Sequence, residues 1–89
     1  MTQSTEEILK ARGAVYGDFT THAEITQSLK RALRVMTYHS KLNDVHREAL
    51  EMIVHMIGRI LNGDPNYRDS WDDIAGFAKL AADRCQPSQ

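Results

Sequence analysis

The chain has one cysteine, two prolines, one tryptophan and no apolar run near the about twenty residues that a membrane-spanning helix requires. One cysteine cannot build a disulfide framework, and Cys85, set in a polar tail, reads as incidental. Collagen-like sequence is excluded by the few prolines and the absence of a glycine period. Neither sign of charge dominates, with 11 Lys and Arg against 12 Asp and Glu. An extended polyanion-binding surface is therefore not expected, and nucleic acid is not an expected partner. Lys30, Arg31 and Arg34 read instead as the solvated face of a helix. No basic segment leads into an apolar one after Met1, so a secretory leader is not expected and a reducing cytoplasm is the expected compartment. A membrane partner is not expected either.

What is present is an ordinary globular composition, 42% hydrophobic and 26% charged over 89 residues. That length supports a single domain spanning 1–89, with an ordered core over about 5–84 and a polar tail at 85–89. Turn signals divide it at Gly13 and Gly17, at Ser40 to Asp44, and at the breaker cluster Asn62-Gly63-Asp64-Pro65-Asn66. Four helical patterns lie between them. The first starts at Ser4 or Thr5, where Ser4 and Glu7 fit a capping box, and carries Ile8, Ala11 and Val15 with Arg12 on the same side. The second starts near Asp18 to Thr21, with Thr21 and Glu24 in a second capping arrangement. Its stripe is Ile25, Leu29, Ala32, Leu33 and Met36, and His22 precedes Ile25 on that face.

The third pattern, about 43–62, gives the strongest signal. Val45, Ala49, Met52, Ile53, Met56 and Ile60 form one sector, which Leu50, Val54, Ile57 and Leu61 widen past half the circumference. Such a helix must be covered on more than one side. The fourth pattern, from Asp69 or Ser70 to Arg84, is expected to turn Trp71, Ile74, Ala75, Phe77, Ala78, Ala81 and Ala82 inward. No segment alternates with period two. The expected fold is all-α: a compact three- to four-helix bundle ending in an antiparallel helical hairpin. So wide an apolar arc on so small a chain points to a homo-oligomer.

Function is sought where polar groups interrupt core faces, because burying them without partners costs free energy. Arg12, His22, Arg59 and Asp73 stand out. Antiparallel register near Pro65 is expected to let Arg59 reach Asp69 or Asp73, either as a structural ion pair or as one wall of a polar pocket to which Arg12 and His22 add positive charge. Glu48-x-x-Glu51 and Asp69-x-x-Asp72 resemble the paired acids with which all-α nucleotide pyrophosphohydrolases hold magnesium. In a simple hairpin, however, Glu51 and Asp69 are offset by about eleven residues, or about 16 Å at 1.5 Å per residue. Acids from another subunit would be needed to complete such a site.

The elements Arg12-x-x-x-Tyr16-Gly17-Asp18-Phe19, Arg59-Ile60-Leu61-Asn62-Gly63-Asp64-Pro65 and Asp69-Ser70-Trp71-x-Asp73-Ile74-Ala75-Gly76-Phe77-Ala78 resemble a small domain family common in bacteriophage genomes. That family is itself distantly similar to the MazG-like all-α nucleotide pyrophosphohydrolases. The likeness runs over about 7–84, but Met56 and Phe77 stand where the family usually has lysine and tyrosine. It implies a phage-encoded, oligomeric, nucleotide-related protein acting in the host cytoplasm. The expected function is non-catalytic binding of a nucleotide or nucleotide-derived immune signal, a form of counter-defence, with no cofactor. Arg12, His22 and Arg59 would neutralise phosphate, Tyr16 or Trp71 would stack on a base, and Asp18, Asp69 or Asp73 would accept hydrogen bonds from a ribose or base edge. Two alternatives stay open. One is a magnesium-dependent pyrophosphohydrolase using Glu48, Glu51, Asp69, Asp72 and Asp73; the other is a helical module that inhibits a host protein.

Overall fold

Short-range signals decide where each helix begins. Ser4 caps α1 (Thr5–Tyr16) by accepting the Glu7 N–H at 3.1 Å, with Glu6 and Glu7 placing negative charge in the first turn. The cap of α2 (Phe19–Thr37) is not Thr21 but Asp18, whose Oδ2 accepts the Thr21 N–H at 2.9 Å and the Thr21 hydroxyl at 3.1 Å. The carboxylate lies one turn earlier and is the stronger acceptor, so the helix starts there. Asn43 caps α3 (Asp44–Asn62) in a reciprocal box whose other half is the His46 ring, Nδ1 of which accepts the Asn43 N–H at 3.2 Å. The last helix, α4 (Arg68–Ala82), follows Tyr67 with no side-chain cap. The computed structural model describes residues 3–37 and 41–86, and among these there is no strand. The last residues of the polar tail, 87–89, lie outside them.

The packing runs through α3. Helix α4 lies along it as the second arm of a hairpin, α2 packs on it from another side, and α1 touches both α2 and α3 at one end. Among the described residues no Cα of α2 lies within 8 Å of one of α4. Close approach of α2 depends on Gly58, where an added Cβ would run into the Thr26 methyl and meet the His22 ring at 3.1 Å. At about 100° per residue, Ala49 and Met56 fall roughly half a turn from Gly58, on the side taken by α4. With Val54 these two form the buried apolar core, joined by buried His22, Thr26 and Ser70.

The inward face of α4 differs from expectation. Ser70 is buried and Ile74, Phe77 and Ala81 are half-buried, whereas Trp71, Ala75, Ala78 and Ala82 are exposed. Counting only apolar residues pulled the expected face toward Trp71. The actual face is centred on Ser70, a small residue that lets the helices meet closely.

Two turns interlock at the hairpin end. Asn62 donates both amide hydrogens across to the α1–α2 turn, to the carbonyls of Tyr16 at 3.2 Å and Asp18 at 2.7 Å. The Asp64 N–H donates to the Val15 carbonyl at 2.8 Å. The backbones approach so closely that a Cβ on Gly63 would collide with Val15 O, and one on Gly17 with Asn62 O. Gly17 also has φ +83°, a left-handed value that suits only glycine at this ψ of −173°. This interlock fixes α1 over one end of α3 and shapes the site below.

Candidate functional site

Where α1, α2 and α3 converge beside the interlocked turns, they enclose an open groove of about 570 Å³. Arg12 and Tyr16 enter it from α1, Phe19 and His22 from α2, and His55 and Arg59 from α3; Leu9 and Asp18 complete the rim. The helical period explains each set: Arg12 and Tyr16 are four residues apart, as are His55 and Arg59, so each pair shares a face. The Tyr16 ring lies beneath two guanidinium groups, with Arg59 Cζ at 4.1 Å from its centroid and Arg12 Cζ at 5.8 Å. Both distances are within the range of cation–π attraction.

The groove floor is a histidine pair. His22 Nε2 and His55 Nδ1 are 3.4 Å apart with the rings edge to face, so one of the two nitrogens carries the proton that joins them. Burial holds His55 well below its ordinary value, at about 4, reinforced by His22, Arg59, Lys30 and Arg12. His22 is also lowered, first by burial and then by Arg59. The Gly58 backbone lies close enough to oppose part of that shift, although His22 Nδ1 forms no well-made hydrogen bond. At neutral pH both rings are uncharged and the groove's positive charge resides on the arginines.

This arrangement has a pH consequence. A histidine lowered in the fold from 6.5 to about 4 lets the unfolded chain take up the proton first as pH falls. Its effect on stability is therefore absent above about 6.5, and stability is lost progressively down to about 4. Full linkage would give about 3 kcal/mol; screening of a part-buried ring reduces this to about 1–2 kcal/mol. Urea unfolding at pH 7 and pH 4.5 should show that loss. In His55→Asn the decline should be shallower by about 1 kcal/mol.

Five of the residues expected to form a site, Arg12, Tyr16, Asp18, His22 and Arg59, line this groove. Asp18 does so while capping α2. Asp69, Trp71 and Asp73 do not line it. The expected contact of Arg59 with Asp69 or Asp73 is not formed, because the hairpin register omitted α1, whose Tyr16 ring occupies the space the guanidinium enters. Asp69 instead faces the Tyr67 hydroxyl, which its carboxylate holds above the ordinary tyrosine value. Tyr67 in turn meets Tyr16 edge to face at 5.8 Å. Asp69 thus connects to the groove through two tyrosines. Trp71 is 54% exposed and its Nε1 donates to Pro65 O at 2.8 Å, a brace for the hairpin loop. Asp73 is exposed on α4, and Asp72 pairs with Arg68 at 3.1 Å.

The acids of the metal alternative do not fit magnesium within one chain. Glu51 lines a small cleft with Lys30, Arg34 and Arg47, so cations and not carboxylates surround it. Among the described residues no three His, Cys, Asp or Glu side chains gather as a metal site. Nor, among them, is any helix long and apolar enough to cross a membrane.

Sequence reading missed His55, Phe19 and Tyr67 as contributors. His55 was discoverable: it precedes Arg59 by one turn on a stripe already singled out. Tyr67 carried no signal, since its role depends on how the two turns dock. Comparison of the chain with family models, curated proteins and solved structures found no match.

Proposed function

We propose that the chain is a binding protein for a phosphate-bearing small molecule, a nucleotide or nucleotide-derived signal, which it holds in the α1–α2–α3 groove without transforming it. The observation carrying this reading is the pair of guanidinium groups of Arg12 and Arg59 flanking Tyr16 in a groove of nucleotide size. Guanidinium recognises phosphate through paired N–H donors, and the neighbouring neutral histidines add donors without competing charge. Phe19, 78% exposed at the rim and tilted over His22 with centroids 6.3 Å apart, offers a ring for a base to stack on. The carboxylate of Asp18 is the acceptor for a ribose hydroxyl. Sequestration requires nothing more than this, and the resemblance to a phage-borne family extends the reading to removal of a host immune nucleotide.

Calorimetric titration with linear and cyclic nucleotides tests it. Saturable heat with micromolar dissociation is expected from at least one of them without added magnesium. Absence of heat across the panel, with the protein folded by circular dichroism, overturns the reading. Magnesium-dependent release of pyrophosphate from a nucleoside triphosphate would replace it with the enzymatic one.

A further inference from the structure

The groove accounts for one side of α3 and leaves the opposite side unexplained. Around α3 Gly58 meets α2; at about 100° per residue buried Val54 falls on the same side, and buried Ala49 and Met56 fall about half a turn away, the side left for α4. His55 and Arg59 lie between those contacts on the groove side. The remaining sector carries Leu50, Ile57 and Leu61: Leu50 borders Leu33 of α2 in a small cleft, but Leu61 is 66% exposed and Leu50 and Ile57 stay part-exposed in the middle of the helix.

The flanking helices continue this sector. On α2, antiparallel to α3, the side away from Lys30 bears Ile25, Ala32 and Met36, and Met36 is 76% exposed. On α4 the matching side is the exposed stripe Trp71, Ala75, Ala78 and Ala82. Because α2 and α4 pack on α3 with their own backbones held apart, the three helices form a layer one helix thick, apolar on one side. A domain is made from at least two packed layers, and beyond this one the chain supplies α1, which covers one end of the other side.

Areas agree with that picture. A monomer of 10.1 kDa is expected to expose about 5,300 Å². This chain exposes 6985 Å², roughly 1,700 Å² more, about twice the ~800 Å² that each partner contributes to a standard interface. The Cα radius of gyration, 15.5 Å against about 12 Å expected for the length, points the same way.

We propose that the chain is a homodimer in which the uncovered face of the α2–α3–α4 layer stacks on the same face of a second copy, leaving both nucleotide grooves outward. A second copy is the occupant because the named side chains of the face are all apolar and the charged groups, Arg68 on α4 and Arg47 and Glu51 beside Leu50, lie at its margin, so the same patch can meet itself about a two-fold axis. The missing layer must also be on hand whenever the chain folds, and a second copy always is.

The test uses the full chain at two scales of concentration. Sedimentation equilibrium is expected to give twice the chain mass at micromolar concentration. Trp71 is the chain's one tryptophan and sits in this face. Its emission should be blue-shifted and protected from acrylamide in the dimer, moving red on dilution with the same midpoint as the mass. Ala78→Glu and Leu61→Glu, at positions exposed in the single chain, should each raise the dissociation constant at least ~100-fold. Val35→Glu, equally exposed on another side of α2, should leave it unchanged. A monomer at 100-fold higher concentration overturns the proposal. So does a dimer indifferent to both glutamates with Trp71 still open to quencher. The dilution series on the unmodified chain decides even if a glutamate variant fails to fold, and none of these readouts depends on nucleotide binding.

Discussion

Gly17→Ala and Gly63→Ala are each expected to cost the fold about 3 kcal/mol or more, lowering the melting temperature by about 15 °C at fixed protein concentration. At Gly17 two effects combine. Its φ of +83° with ψ −173° lies in a region that a side chain makes strained by about 1–3 kcal/mol. Its new methyl would also press on the Asn62 carbonyl, which cannot retreat without breaking the bonds from Asn62 to Tyr16 and Asp18. At Gly63 the backbone strain is absent, but the methyl would meet the Val15 carbonyl and the Tyr16 backbone. Yielding there would break the Asp64 N–H bond to Val15. With three buried apolar side chains among the described residues, the fold has little reserve against such a loss. Gly13→Ala and Gly76→Ala supply the contrast. Both positions are helical and a methyl there meets nothing, so each should stabilise by about 0.5–1 kcal/mol. Thermal melts of the four variants are decisive: equal effects at all four positions would dissolve the interlock as an explanation.

This interlock also explains which features were legible in the sequence. The helices were, because the Ser4 cap and the apolar stripe of α3 are local signals acting within one or two turns. The gathering of Arg12, His22 and Arg59 was anticipated because each is a polar group breaking an apolar face, a pattern that holds whatever the neighbours are. The partner of Arg59 was not. Hairpin register considers two helices, and Tyr16 belongs to a third, brought in by hydrogen bonds from Asn62 that span 46 and 44 residues of sequence. The same limit applies to α4. Treating Trp71 as core follows from hydrophobicity, but a serine facing a crowded contact sets the phase of the helix, and the tryptophan is left outside. The motifs Tyr16-Gly17-Asp18 and Asn62-Gly63-Asp64 were visible as motifs. Their shared reason, two backbones in contact, exists only in three dimensions.

Arg59→Ala is expected to weaken nucleotide binding by about 30- to 100-fold, the loss of one charge-assisted contact to phosphate worth about 2–3 kcal/mol. Arg59 is the discriminating choice because its guanidinium sits closest to Tyr16 and its charge reaches both histidines. Arg59→Lys keeps the charge but loses the planar fork, so about a tenfold loss should remain. The variant's stability must be read separately, since removing the stack on Tyr16 should itself cost about 0.5–1 kcal/mol. An internal check follows from electrostatics: Arg59 is one of the cations that depress His55, so in Arg59→Ala the ring should titrate above its value of about 4. Proton NMR of the histidine C–H resonances measures this without any ligand. An upward shift of His55 together with unchanged nucleotide affinity would keep the geometry of the groove and remove phosphate from it. Loss of affinity with the shift present would tie binding to the same guanidinium that, after burial, helps keep the histidine pair neutral.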